Sequence, residues 1–172
     1  MDRIILVLLS EINENLVDIL TQHLEQTFNR QIDVRRKNGN LEYAYEADRK
    51  QYNSPRILSR LQRIKKGDGD KILGVVDADL YSAGYDFVYG EAKPSSGVAT
   101  LSIYRLHPKN YTRKTVSKIF QERVIREALH EVGHLYGLGH CGYTKCVMRA
   151  CTCLPEVDAA GNKFCSECTA RL

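Results

Sequence analysis

The sequence contains no apolar run near the roughly 20 residues needed to span a bilayer, no dense charge of either sign, and no cysteine before residue 141. The first absence argues against a helical membrane protein. The second bears on partners. A net charge of +4, with short local basic runs such as 35–37 and 65–66 and none longer than three residues, is far from the concentrated positive surface of a dedicated nucleic-acid binder. Internal repeats, low-complexity stretches and interdomain linkers are absent too, so the 172 residues read as one domain with a real core and a small appendage. What is present, 43% apolar and 27% charged residues, is the balance of a soluble globular chain.

The apolar run Ile4 to Leu9 follows Met1-Asp2-Arg3 as a signal peptide would. It is too short, however, and leads into Ser10-Glu11-Ile12-Asn13-Glu14 with no small-residue cleavage site. It reads as a strand covered on both faces. The expected location is the cytoplasm, where thiols stay reduced and clustered cysteines bind metal more often than they pair.

Leu16, Ile19, Leu20, Leu24 and Phe28 recur at helical spacing, with Ser10 or Asn13 as the N-cap. Ile32 and Val34 alternate with polar residues as in a second strand, and residues 37–53 lack a pattern and read as a loop. A second helix carries Ile57, Leu58, Leu61 and Ile64 on one face, with Ser54 as cap, Pro55 in the first turn and Gly67 at its end. Ile72 to Val76, Phe87 to Tyr89 and Val98 to Tyr104 read as strands, the last two joined through a turn at 93–97. A long helix from about Thr115, striped by Val116, Phe120, Val124 and Ala128, runs into a histidine-rich segment. A Cys-rich tail with little regular pattern follows. The order predicts an α/β or α+β domain with a mixed sheet.

The segment His130-Glu131-Val132-Gly133-His134-Leu135-Tyr136-Gly137-Leu138-Gly139-His140 holds three of the five histidines. Residues four apart share a helix face, so His130 and His134 can offer two imidazole nitrogens to one metal ion. Zinc takes such ligands at about 2.0–2.1 Å and, in catalytic sites, keeps a fourth position for water. Glu131 is placed to reach that water as general base. A straight helix cannot supply the third ligand; Gly137, free to adopt positive φ, turns the chain so that His140 can return to the metal. HExxH alone arises by chance in roughly one chain in a few hundred, but Gly137 and His140 remove coincidence as an explanation. His23 and His107 read as ordinary packed or surface histidines. Tyr136 and Tyr143 flank the motif as candidate oxyanion donors, with packing as their default role.

All six cysteines fall between residues 141 and 168. Cys141 with Cys146, and Cys165 with Cys168, form two pairs that can converge on one tetrahedral zinc, with Cys151 and Cys153 as possible replacements. A tail of roughly 30 residues cannot bury enough apolar surface to fold alone, and a closed metal site can staple it.

The extended histidine motif resembles that of the metzincins, in which a methionine turn lies beneath the zinc. Met148, in Cys146-Val147-Met148, stands at a suitable distance. The longer pattern, HExxHxxGxxHC followed by Cys146-Val147-Met148 and closed by Cys165-Ser166-Glu167-Cys168, resembles the archaemetzincins. Upstream, Arg49-Lys50-Gln51-Tyr52-Asn53-Ser54, Asp77-Ala78-Asp79-Leu80-Tyr81 and Phe87-Val88-Tyr89-Gly90 are similar as well. The resemblance implies a zincin-like α+β fold whose mixed, twisted sheet has an antiparallel edge strand. Residues 1–137 would carry the active-site helix, and 138–172 the third zinc ligand, the Met turn and a structural zinc site. It further implies Cys141, Cys146, Cys165 and Cys168 as the structural ligands, hence two zinc ions per chain. Substrate would lie along an edge strand, for which the segment from Phe87 to Gly90 is the candidate. The expected activity is peptide-bond hydrolysis, on peptide or protein substrates, with neither nucleic acid nor membrane as partner; the sequence leaves the oligomeric state open and favours a monomer only slightly. A catalytically silent zinc-containing peptide binder is the alternative, and a nucleic-acid module built on the tail a distant third.

Overall fold

The computed structural model describes residues 3–37, 39–108 and 117–172. Strand β1 (Ile4–Leu8) is buried along its whole length, because it lies inside the sheet with helices on both faces. It leads to helix α1 (Glu14–Phe28), capped by Asn13, whose side chain accepts the backbone N–H groups of Asn15 and Leu16. Ser10 is not the cap; its Oγ accepts the Asp77 N–H at 3.1 Å instead. Strand β2 (Ile32–Arg36) then pairs in parallel with β1.

Residues 37–53 are not a plain loop. A 3-10 turn at Glu42–Ala44 precedes strands β3 (Tyr45–Glu46) and β4 (Gln51–Asn53), an antiparallel pair too short to show periodicity in sequence. Helix α2 (Ser54–Ile64) is capped by Asn53, which accepts from Arg56 N. Ser54 lies in the first turn, its buried Oγ 2.9 Å from the Thr100 hydroxyl, and the helix ends three residues short of Gly67.

Strand β5 (Lys71–Val76) continues the main sheet, and β6 (Leu80–Tyr81) pairs with β4. The expected strand at Phe87–Tyr89 forms three residues later, as β7 (Gly90–Lys93). The turn at 94–97 then leads to β8 (Val98–Ser102), shorter than expected because the chain tightens into a 3-10 turn at Tyr104–Leu106. Only Val88 of the earlier segment makes a bridge, to Leu80. Helix α3 (Lys118–Leu135) carries the histidine motif; the expected start at Thr115 and Val116 lies outside the described residues. The tail contains two short helices, α4 (Leu154–Ala159) and α5 (Ser166–Thr169), where no pattern was legible.

The main sheet runs β2-β1-β5-β8-β7, parallel except for β7, which is antiparallel and forms one edge. The larger apolar cluster joins α1, α3 and the tail to one face, while a smaller one seats α2 on the other. Helix α3 packs against β7, β8 and β5. Its C-terminal half therefore lies beside the antiparallel edge. Among the described residues no helix is long and apolar enough to cross a membrane.

Candidate active site

Helix α3 buries polar side chains a surface helix would expose: Arg123, Arg126, Glu127, His130 and Glu131 are each at most 8% exposed. Buried ionisable groups are costly unless paired or functional. The helix ends in a Schellman motif. Gly137 N–H donates to the His134 carbonyl at 2.9 Å and Leu138 N–H to the Gly133 carbonyl at 3.1 Å, with Gly137 at φ 87°. That left-handed residue turns the chain back so that His140 meets the two helix histidines.

One ring nitrogen from each of His130, His134 and His140 lies within 4.8 Å of the other two. His130 Nδ1 is 2.9 Å from the Val147 carbonyl and His134 Nδ1 is 2.8 Å from the Leu138 carbonyl. A carbonyl only accepts, so both Nδ1 atoms carry the proton and both Nε2 atoms present lone pairs. These two Nε2 atoms are 3.0 Å apart. Two facing lone pairs repel unless a cation lies between them. Tetrahedral ligands at about 2.05 Å would stand about 3.3 Å apart, close to the observed separation. Burial holds His130 down at about 3 and lowers His134 as well, which keeps both imidazoles neutral and able to ligate. The donor set fits a zinc ion.

Met148 is fully buried, and a Cβ on Gly133 would stand only 2.6 Å from its sulfur. The thioether thus lies against the bare helix backbone at Gly133, between His130 and His134 in sequence.

Glu131 faces a cleft of about 870 Å³. The helix histidines, Glu131 and His140 form one wall, and the segment 85–92 the other. Glu131 Oε2 has no hydrogen-bond partner among the described residues. Burial, then the neighbouring carboxylates Glu127 and Glu91, push its carboxyl well above the ordinary range. A Cβ on Gly90 would come within 2.7 Å of the Glu131 Cγ and Cδ, so the edge strand approaches the carboxylate this closely only because residue 90 lacks one. Gly90→Ala should therefore displace Glu131 while sparing the three histidines. A fall of about 10²-fold in kcat/KM with metal content retained is expected. Unchanged kcat/KM would show that the carboxylate position is uncritical.

Arg126 and Glu127, which sequence reasoning passed over, also line the cleft as a buried ion pair. Arg126 donates as well to the Arg149 carbonyl at 2.7 Å and the Cys151 sulfur at 3.0 Å. They stand one turn before His130 and Glu131, so extending the same helix face backwards would have found them. Tyr136 stacks on Phe28 at 5.1 Å, Tyr143 is 59% exposed, and neither lines the cleft. His107 packs on Phe120 and approaches Asp77 at 3.3 Å.

In the tail the sulfurs of Cys141, Cys146, Cys165 and Cys168 lie within 4.8 Å of one another, while Cys151 and Cys153 stand apart from the group. All six are free thiols. The Cys141 and Cys165 sulfurs are 3.8 Å apart. That is nearly twice a disulfide bond and equal to the edge of a tetrahedron with ligands at about 2.3 Å. Tyr143 N–H points at the Cys141 sulfur and Cys165 N–H at the Cys146 sulfur, each at 3.4 Å, an arrangement that stabilises thiolates. The backbone N–H of Cys168 is the main influence lowering Cys165, to about 7, whereas burial raises Cys168. This donor set also fits zinc.

The sequence model of Peptidase family M54 matches residues 2–172. The chain belongs to this family. M54 relatives with measured similarity include the archaemetzincin of Archaeoglobus fulgidus, 37% identical over 161 residues that cover 94% of this chain and 93% of that one. The crystal structure of the Archaeoglobus fulgidus archaemetzincin, complexed with malonate, superposes with a TM-score of 0.83 at 36% identity, covering 100% of both chains. A zinc-dependent peptidase from Methanocorpusculum labreanum superposes with a TM-score of 0.84 at 28% identity, covering 98% of each chain. M54 membership makes this protein a metallopeptidase, a hydrolase acting on peptide bonds, and its mixed α/β architecture is that of the archaemetzincins.

Proposed function

We propose that this M54 metallopeptidase cleaves peptide bonds at one zinc ion held by His130, His134 and His140, with Glu131 as general base and then general acid. The observation that carries this reading is the pair of Nε2 lone pairs 3.0 Å apart, each committed to that orientation by an Nδ1 contact with a backbone carbonyl. Zinc bound there would supply Lewis acidity and lower the pKa of a coordinated water towards ~7. Glu131 accepts a proton from the attacking water and delivers it to the leaving amine. Glu131 lines the cleft, and its Oε2, with no partner among the described residues, is uncommitted. The edge strand β7 offers its open backbone to an extended peptide, which gives affinity with little sequence selectivity.

A second zinc belongs to the four cysteines. Four protein ligands leave no place for water, so that site is structural and stabilises the segment after residue 137, the division between the helix-bearing body and the tail. Surroundings that keep thiols reduced, such as the cytoplasm, suit this cluster.

A diverse peptide library, read by mass spectrometry, tests the reading. Cuts made by zinc-loaded protein should vanish with a chelator and return with added zinc. Silence from the fully loaded protein would favour a peptide binder that does not hydrolyse.

A further inference from the structure

Three sequence stretches far from the histidines meet at one point on the cleft rim: 49–54, 77–81 and 87–90. The meeting is built on Arg49 and Gln51, at the start of β4. Arg49 Nη2 donates to the carbonyl of Asp86 at 3.1 Å and lies 3.4 Å from that of Tyr85. Its Nε donates to Gln51 Oε1 at 3.1 Å, and its guanidinium stacks over the Tyr81 ring at 4.3 Å. Gln51, 7% exposed, donates through Nε2 to the same Asp86 carbonyl at 2.8 Å and to Asp79 Oδ2 at 3.3 Å. Asp79 in turn accepts two bonds from Arg105, at 2.6 and 2.7 Å, and Arg105 lies over the Phe87 ring at 4.2 Å.

The carbonyls of Tyr85 and Asp86 are thus gripped by Arg49 and by Gln51 at the start of β4. The residues that follow it, through β7, form the cleft wall opposite the histidines. The segment 82–89 makes almost no regular pairing of its own; its backbone is tied by Tyr85 N to Ser82 O, Val88 N to Leu80 O, and Ser102 N to Tyr89 O. Without outside anchors, such a segment would have to be ordered each time a peptide binds.

We propose that Arg49 and Gln51 are positioning residues for substrate: they hold the 85–89 rim in its binding-competent place and so set the affinity for extended peptides. Neither lines the cleft. They act through the Tyr85 and Asp86 carbonyls, and the proposal rests on peptide lying along β7 next to that rim. Gln51→Glu removes both donated bonds and sets a carboxylate against Asp79. Arg49→Ala removes the grip on Asp86 and the stacking on Tyr81.

Two zinc-directed probes test this on zinc-loaded protein. Acetohydroxamate engages the metal alone, whereas a trialanyl hydroxamate also lies along the rim. Both variants should bind acetohydroxamate within about twofold of the wild type and the trialanyl probe about tenfold more weakly. Hydrogen exchange at the Tyr85, Val88 and Ser102 amides should quicken in parallel. An unchanged ratio of the two affinities would overturn the proposal. So would an equal loss of both probes together with zinc, which marks a merely structural role. If acetohydroxamate fails to bind the loaded wild type, the histidine-zinc reading is what fails, and the same amide exchange rates still decide whether Arg49 and Gln51 hold the rim.

Discussion

Glu131→Gln is expected to abolish useful turnover, lowering kcat by about 10²–10⁴-fold, while the metal stays on the three histidines. The substitution keeps the size and shape that fit against Gly90 and removes only the ability to take a proton. Glu131 is 4% exposed, is no member of the histidine cluster, and has an oxygen with no partner among the described residues. A buried carboxylate in that condition serves no evident purpose in stability. It lies on the helix face that fronts the cleft, adjacent in sequence to a histidine whose own Nδ1 is committed to Val147. Steady-state rates on a peptide taken from the library, beside metal analysis of the same samples, check this. Turnover within about tenfold of wild type would remove Glu131 from its proposed role.

The second large effect concerns the tail. Cys165→Ser should empty the four-sulfur site, and the loss should reach the histidines. Zinc sites of this kind contribute about 10–16 kcal/mol of binding free energy in small peptides, and the proposed site would hold a segment with only two short helices. The route to the catalytic centre is covalent and short. Cys141 follows His140 directly, and its N–H donates to the Met148 carbonyl at 2.9 Å. Cys146 precedes Val147, whose carbonyl receives His130 Nδ1 and whose N–H donates to Lys163 at 2.9 Å. Releasing the sulfurs therefore frees both the third histidine and the group that orients the first. A fall of about 10–100-fold in zinc affinity at the histidines is expected, the scale seen when groups that orient ligands are lost. Zinc titration against a competing chelator, with zinc counted per chain, measures it. Full histidine-site occupancy in the variant, at wild-type affinity, would show the two sites to be independent.

Much of the site was legible because its geometry is local. The i, i+4 spacing of His130 and His134 and the positive φ required at Gly137 are properties of eleven consecutive residues. The four-cysteine group was legible by spacing and resemblance, and the structure brings those four sulfurs together rather than Cys151 or Cys153. The fully apolar β1 could be read for the same reason, since a strand covered on both faces has no polar face to mislead. Short strands failed. β3 and β4 hold two and three residues, too few for alternation to appear, and Asn53 took the cap from Ser54 because Ser54 was drawn into a buried bond with Thr100.

By itself, then, the sequence determined one wall of the cleft: a helix, its glycine turn, the histidines, and the cysteine group behind them, all set by backbone geometry over short distances. The opposite wall was decided only in three dimensions. Pairing of β7 with β8 sets where the edge strand begins and brings Gly90 against Glu131, 41 residues away by the numbering. Arg49 and Gln51 reach Asp86 across 37 and 35 residues, and Arg126 with Glu127 found their buried place beside the motif through packing of α3 on the sheet. Contacts of this range leave no period in the chain, because they depend on which surfaces the folded sheet and helices bring together.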